Sequence, residues 1–232
     1  MKIGILITGN PPEETVEQHG SYADAFQRLL SGQGFDFASW ACLDGVFPSS
    51  INDADGWLIT GSKFGAYEDL PWISQLEDFI RASYAEAIPI VGICFGHQIL
   101  AKALGGTVEK YGGGWSVGRV EYQLDNHSAP VPLYAWHQDQ VVSLPEDARV
   151  VGSTDFCQYA ALAYGNKAYS IQPHPEFTAD FFSELYEARK DGLPADIIKT
   201  ANDSIASEKP TDSAAIANSI AAFFKNSAHN NS

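Results

Sequence analysis

Cys94 lies within the run Pro89 to Leu100, PIVGICFGHQIL. Ile90, Val91 and Ile93, with Gly92 between them, lead into a Gly-Cys-aromatic-Gly corner, and an amphipathic helix pattern follows at once. The spacing predicts a buried strand that turns sharply into a helix, with a thiol at the apex. Gly92 and Gly96 flank that apex because so tight a turn leaves no room for a Cβ on either side. A thiol at a helix N-terminus sits beside unpaired backbone N–H groups and the positive end of the helix dipole. Both favour the thiolate, which is the nucleophile. Taken alone, such a cysteine is more often a small buried hydrophobe in a glycine-lined turn than a nucleophile.

The stretch Ser170 to Phe177, SIQPHPEF, supplies possible partners. His174 follows Pro173 and precedes Pro175, so sterics hold it extended, and residues two apart in an extended chain point to one side. His174 and Glu176 therefore share a face. A cysteine, a histidine and a carboxylate are the parts of a thiol nucleophile, its general base and the group that orients the imidazole. By itself the stretch reads equally well as a proline-rich strand exit with solvated side chains. Coupled to the Cys94 corner, the catalytic reading prevails.

These residues need a rigid frame, and the rest of the chain predicts one. Lys2 to Thr8 is a continuous β-branched-rich run ended by Gly9-Asn10-Pro11-Pro12, the pattern of a strand covered on both faces of a parallel sheet. A polar loop to His19 is expected next, with Glu13, Glu14 and Glu17 solvated. Tyr22, Phe26, Leu29 and Leu30 then recur at helical spacing behind a Ser21 cap. Phe35 to Cys42 and Asp55 to Thr60 read as strands, the second running into Gly61-Ser62, and Pro71 to Ala87 as a helix with proline in its first turn. This βα alternation predicts an α/β fold with a doubly wound, mostly parallel sheet, on which ligands sit at the carboxyl ends of strands. Gly61 and Cys94 both fall at such ends. From residue 107 to 172 short segments predict a small antiparallel section: Val117 to Leu124, Leu133 to Val142, Arg149 to Ser153, Gln158 to Tyr164 and Ala168 to Gln172. A C-terminal helical extension, about 178–226, follows. Thr178 caps its first helix, Ile216, Ile220, Phe223 and Phe224 mark its last, and Asn226 to Ser232 reads as a frayed tail. The expectation is one domain over residues 1–232.

Composition narrows the function classes. Hydrophobic residues make up 45% and aromatics 12%, which excludes disordered and fibrous readings. With 29 acidic against 14 basic residues and a net charge of −15, the surface repels polyphosphates and anionic lipid, so neither nucleic acid nor membrane is an expected partner. Cysteines at 42, 94 and 157 have no short spacing, which suits a reducing compartment. With no signal-peptide pattern after Met1, the expected address is cytoplasmic. Cys42 and Cys157 read as packing residues, and His97, one turn beyond Cys94, as a satisfied histidine. His137 with Asp139 forms a pocket wall in preference to a metal site, and Tyr67, Glu68 and Asp69 form either a pocket lip or an ordinary loop.

GICFGHQ, the Thr60-Gly61-Ser62 strand end and QPHPEF, in this order, resemble the class I glutamine amidotransferase family over nearly all of residues 1–177. The resemblance implies a flavodoxin-like amidotransferase fold and a Cys-His-Glu triad, Cys94, His174 and Glu176, that hydrolyses the side-chain amide of glutamine through a thioester, releasing glutamate and ammonia. It implies an oxyanion hole from the N–H of Phe95 and one from the Gly61-Ser62 turn, and a substrate contact from Gln98. Trp136-His137-Gln138-Asp139 lies where the family has a substrate-binding segment that often reads His-Gly-Asp, so His137, Gln138 and Asp139 are implied substrate-binding residues. With Ser143-Leu144-Pro145 following, this variant is more similar to stand-alone members, including GMP-synthase glutaminases and plant γ-glutamyl peptidases, than to domains fused to synthases. The implied ligand is glutamine or another γ-glutamyl compound, with no metal and no organic cofactor. Too few residues follow 177 for a synthase domain. A separate synthase subunit that accepts the ammonia is therefore one expectation, a free-standing γ-glutamyl peptidase a second, and a non-catalytic binding module on the same fold a third.

Overall fold

The computed structural model describes residues 1–230. In chain order the elements are β1 (Lys2–Ile7), α1 (Glu13–His19), α2 (Tyr22–Leu29), β2 (Asp36–Ala41), β3 (Gly56–Ile59), α3 (Pro71–Ala85), β4 (Ile90–Ile93) and α4 (Phe95–Ala103). There follow β5 (Thr107–Lys110), β6 (Ser116–Leu124), β7 (Val131–His137), β8 (Asp139–Ser143), β9 (Arg149–Ser153), β10 (Ala161–Tyr164) and β11 (Ala168–Ile171). The chain closes with α5 (Ala179–Arg189), α6 (Ala195–Ala206) and α7 (Ser213–Asn230). The main sheet runs β2-β1-β3-β4-β11-β10-β9-β6-β7, and β5 pairs with β8 in a small second sheet. Pairing is parallel from β2 through β1, β3 and β4 to β11. Beyond β11 it is antiparallel.

Strand periodicity explains the two cores. Ile3 and Ile5 of β1, Leu58 of β3 and Val91 and Ile93 of β4 face α2 and α7, packing on Phe26, Leu30, Ile216, Ile220 and Phe224. Leu6, Trp57, Ile59 and Ile90 point the other way, onto Ile73, Leu76 and Ile80 of α3 and Ile99 and Leu100 of α4. Each fully buried Leu, Ile or Phe contributes roughly 1.5–3 kcal/mol. The terminal helix thus belongs to the same core as the central strands. The sequence signals for caps hold: Ser21 and Asp24 form a capping box on α2, Thr178 accepts from the Phe181 N–H on α5, and Pro71 opens α3.

Four expectations need correction. Residues 13–19 form a helix where a loop was expected, because Glu13 and Glu14 sit at its positive end and Thr15 is buried, its hydroxyl donating to the Pro12 carbonyl at 2.8 Å. The expected strand 133–142 is broken at Gln138, where the chain leaves the main sheet for β8 and pairs with β5, a strand the alternation did not announce. Helix α6 was not separately expected; it has a single fully buried position, Ala201. The frayed tail is helical to Asn230, since Ser227 is tied down by a 2.7 Å bond to the Asn166 carbonyl. Residues 231 and 232 of that expected tail lie outside the described residues.

Candidate active site

Cys94 stands between β4 and α4 with φ +52° and ψ −103°, one of three non-glycine residues with positive φ among the described residues. A side chain held there stores roughly 1–3 kcal/mol of strain, which its surroundings must impose. They do so by close backbone approach. A Cβ on Gly92 would meet the Gly96 carbonyl oxygen at 2.3 Å, and one on Gly96 would meet the Ile59 carbonyl oxygen at 2.3 Å. The Cys94 N–H donates to Ile171 of β11 at 2.9 Å and the Gly96 N–H to Thr60 at 3.2 Å, so the corner is stitched to both neighbouring strands. Phe95 is the first helical residue, and its N–H has no acceptor inside the helix.

The strand beside it delivers the imidazole. The backbone N–H of His174 donates to Tyr134 of β7 at 2.8 Å, and its Nδ1 lies 2.7 Å from Glu176 Oε1. Both side chains are buried, and Glu176 Oε2 has no hydrogen-bond partner among the described residues. The His174 ring stacks on Phe177 with centroids 4.0 Å apart and planes 7° from parallel, and Phe177 in turn stacks on Tyr22. Burial opposes the charge on His174, but the Glu176 carboxylate, the Cys94 sulfur and hydrogen bonds to both outweigh it. The imidazole pKa is raised from 6.5 to about 10. With Nδ1 held by Glu176, Nε2 is the nitrogen left for the thiol.

Gly61 sits beside both groups: a Cβ there would be 3.0 Å from His174 Cε1 and 3.8 Å from Cys94 Cβ. Ser62, with Cys94 and Gln98, lines a cavity of about 400 Å³ that opens past the thiol. Gln98 spends its amide on the Asp139 carbonyl, at 2.9 Å, and on Gln172 Oε1, at 3.1 Å. His137, Gln138 and Asp139 line the same cavity. His137 is buried with Nδ1 3.2 Å from the Asp139 carbonyl, and burial lowers its pKa to about 4. Burial raises the pKa of Asp139, whose carboxylate accepts from the Tyr67 hydroxyl at 3.3 Å. Tyr67 and Glu68 therefore form a cavity lip, which Asp69 does not join.

Other sequence candidates lie elsewhere. His97 is fully buried with Nδ1 2.8 Å from Ser170 Oγ, and burial lowers its pKa to about 3. Cys42 and Cys157 are buried, and burial raises both thiols to about 12, so neither offers a thiolate at neutral pH. Among the described residues, no three metal-ligating side chains gather into a metal site. No helix there is long and apolar enough to cross a membrane.

Two features escaped the sequence. Gln172 Nε2 lies 3.6 Å from Cys94 Sγ, and Arg189, Gly192 and Leu193 close one side of the cavity. Gln172 carried a signal, being next to Pro173 in the stretch that holds His174. The 189–193 wall carried none, since only the fold returns it to the site.

The family model described as "Glutamine amidotransferase class-I" matches residues 47–188. A glutamine amidotransferase-like protein of Schizosaccharomyces pombe is 30% identical over 95% of this chain and 97% of its own length. Gamma-glutamyl peptidase 4 of Arabidopsis thaliana is 28% identical over 79% of each chain. One subunit of the glutamine-hydrolyzing GMP synthase of Archaeoglobus fulgidus is 36% identical over 74% of this chain and 92% of its own. Among solved structures, a glutamine amido transferase from Methylobacillus flagellatus superposes with a TM-score of 0.75 at 21% identity, covering 97% of this chain and 94% of that one, a likeness of fold alone.

Proposed function

This chain belongs to the class-I glutamine amidotransferase family, and we propose that it hydrolyses γ-glutamyl amides through a glutamyl thioester on Cys94. The observation that carries this reading is one arrangement. A strained thiol at a helix N-terminus faces an imidazole whose far nitrogen is held 2.7 Å from a buried carboxylate. The raised pKa of His174 makes its imidazole a ready acceptor for the thiol's proton as Cys94 attacks.

In the first half-reaction Cys94 Sγ attacks the substrate's Cδ carbonyl carbon. The negative oxygen that forms is held by the Phe95 N–H and an N–H of the Gly61-Ser62 turn. His174 gives its proton to the departing nitrogen as the C–N bond breaks, leaving the Sγ–Cδ thioester. In the second, water attacks the same carbon, His174 takes a proton from it, and the C–S bond breaks to release glutamate and restore the thiol pair. Glu176 fixes the ring and its tautomer throughout. Gln98 keeps its Oε1 for a donor on the substrate, and His137, Gln138 and Asp139 border the space for the glutamyl group. The unit that acts is residues 1–232 as one domain, a reading supported by α7 packing into the core of the central strands.

A second observation favours a leaving group larger than ammonia: the cavity extends from Cys94 to Arg189 and Leu193. That space suits a γ-glutamyl peptidase. Acid-quenched intact-protein mass spectrometry during turnover tests the thioester. A glutamyl adduct confined to the Cys94 peptide and absent from Cys94→Ala is expected, and sustained turnover without an adduct would remove this mechanism.

A further inference from the structure

We propose that Arg189 selects γ-glutamyl substrates whose leaving amine carries a carboxylate, that is, γ-glutamyl amino acids and peptides, over glutamine itself. This rests on the γ-glutamyl hydrolysis proposed above and names the part of the site that reads the leaving group.

Arg189 closes α5, half-buried at the cavity that Cys94 opens into. Among the described residues its guanidinium makes no hydrogen bond and no ion pair, although the chain has twice as many acidic as basic side chains to offer. Its charge nevertheless reaches the site, because it acts on buried Tyr22, which also feels Glu176 and Cys94. An unpaired guanidinium beside a reactive thiol is a ready fork for a carboxylate, which it binds with two parallel hydrogen bonds.

The cavity inverts the charge of the molecule around it. The chain carries −15 overall, yet three cations, Lys63, Lys110 and Arg189, line the cavity against two carboxylates, Glu68 and Asp139. Lys110 faces Asp139 across the β5–β8 pair, and Lys63 lies over the Phe64 ring at 5.4 Å, so each already has a neighbour to act on. Arg189 acts on Tyr22 but pairs with no carboxylate among the described residues.

Its surroundings describe the rest of the leaving group. Leu193, Trp115 and Trp136 line the cavity with Arg189 and belong to one apolar cluster, so the wall combines a cation with apolar surface. An amine bearing both a carboxylate and an apolar side chain matches that wall, and ammonia touches none of it. The family match ends at residue 188. Arg189, Gly192 and Leu193 lie just beyond it, in the C-terminal extension.

The test compares γ-glutamyl-leucine with γ-glutamyl-leucinamide, which differ only in that carboxylate, with glutamine as a third substrate. The wild-type ratio of kcat/KM, acid over amide, is expected to exceed about ten, the scale of one charge-assisted contact. Arg189→Gln brings the ratio close to one, chiefly through KM, and Arg189→Lys restores part of it. A ratio that survives in Arg189→Gln overturns the proposal, as does an equal loss on both substrates, which would put Arg189 on the glutamyl carboxylate. Turnover of glutamine without a preference for the acid overturns it and leaves the thioester reading standing. Failure on all three substrates by folded protein removes both.

Discussion

The imidazole of His174 lies face to face with the ring of Phe177, centroids 4.0 Å apart and planes 7° from parallel, while its edge is tied to Glu176 at 2.7 Å. One contact fixes the plane of the ring and the other its rotation within that plane. Stacking of this kind contributes about 0.5–1.5 kcal/mol beyond the area it buries. Phe177→Leu is therefore expected to keep the fold and lose about three- to tenfold in kcat. Steady-state rates beside a thermal melt check this. A variant with unchanged kcat would show that Glu176 alone positions the ring.

Glu176→Gln removes the strongest of the influences that raise the pKa of His174. The sign follows from linkage. With a folded pKa of about 10 against 6.5 when unfolded, the protonated imidazole stabilises the protein fully below pH 6.5, and that contribution is lost as pH rises through about 10. The variant's His174 is expected to titrate lower by NMR, its Cys94 to alkylate more slowly at pH 7, and its kcat to fall about a hundredfold or more. An unmoved His174 titration would contradict the assigned cause.

His97 and His137 are coupled to pH in the opposite direction. Both are buried neutral, with pKa values lowered to about 3 and about 4, so the unfolded chain binds more protons than the folded one below pH 6.5. Stability should fall by a few kcal/mol as pH drops from 6.5 towards 4. Urea unfolding across that range measures it. His97→Gln should flatten the slope, and an equally steep profile in that variant would remove His97 as a cause.

Two glycine substitutions should behave differently. On Gly96 a new Cβ meets the Ile59 backbone at 2.3 Å, so Gly96→Ala is expected to abolish soluble folded protein. On Gly61 it meets the edge of the His174 ring at 3.0 Å. Gly61→Ala is expected to fold and to lose more than about tenfold in kcat. The paired measurement is melting temperature and turnover for both variants, and loss of fold in Gly61→Ala would show a structural role instead.

Much of this arrangement was legible in the sequence because it depends on local geometry. Gly92 and Gly96 announce the Cys94 corner, and Gln98 lies one helical turn beyond Cys94. His174 and Glu176 do meet, but through a turn in which the Phe177 N–H reaches the His174 carbonyl at 3.4 Å, not along the extended chain that the flanking prolines predict. The parallel strands were legible from their continuous apolar runs, which need cover on both faces. What was not legible depends on long-range return of the chain. The break at Gln138 has no glycine or proline to mark it. The short helix at Glu13 lacks an apolar stripe. The wall at Arg189 and Leu193 reaches Cys94 only because α5 docks on Tyr134 and Trp136 through Phe182.

The central claim is that Cys94 carries the glutamyl group. Its most direct test is steady-state glutamate release from glutamine and γ-glutamyl-leucine by the purified protein and by Cys94→Ala, with a melt to confirm that both are folded. Release by the wild type on at least one substrate, falling to background in Cys94→Ala, is the predicted result. Glutamate release that persists undiminished in folded Cys94→Ala would contradict the account.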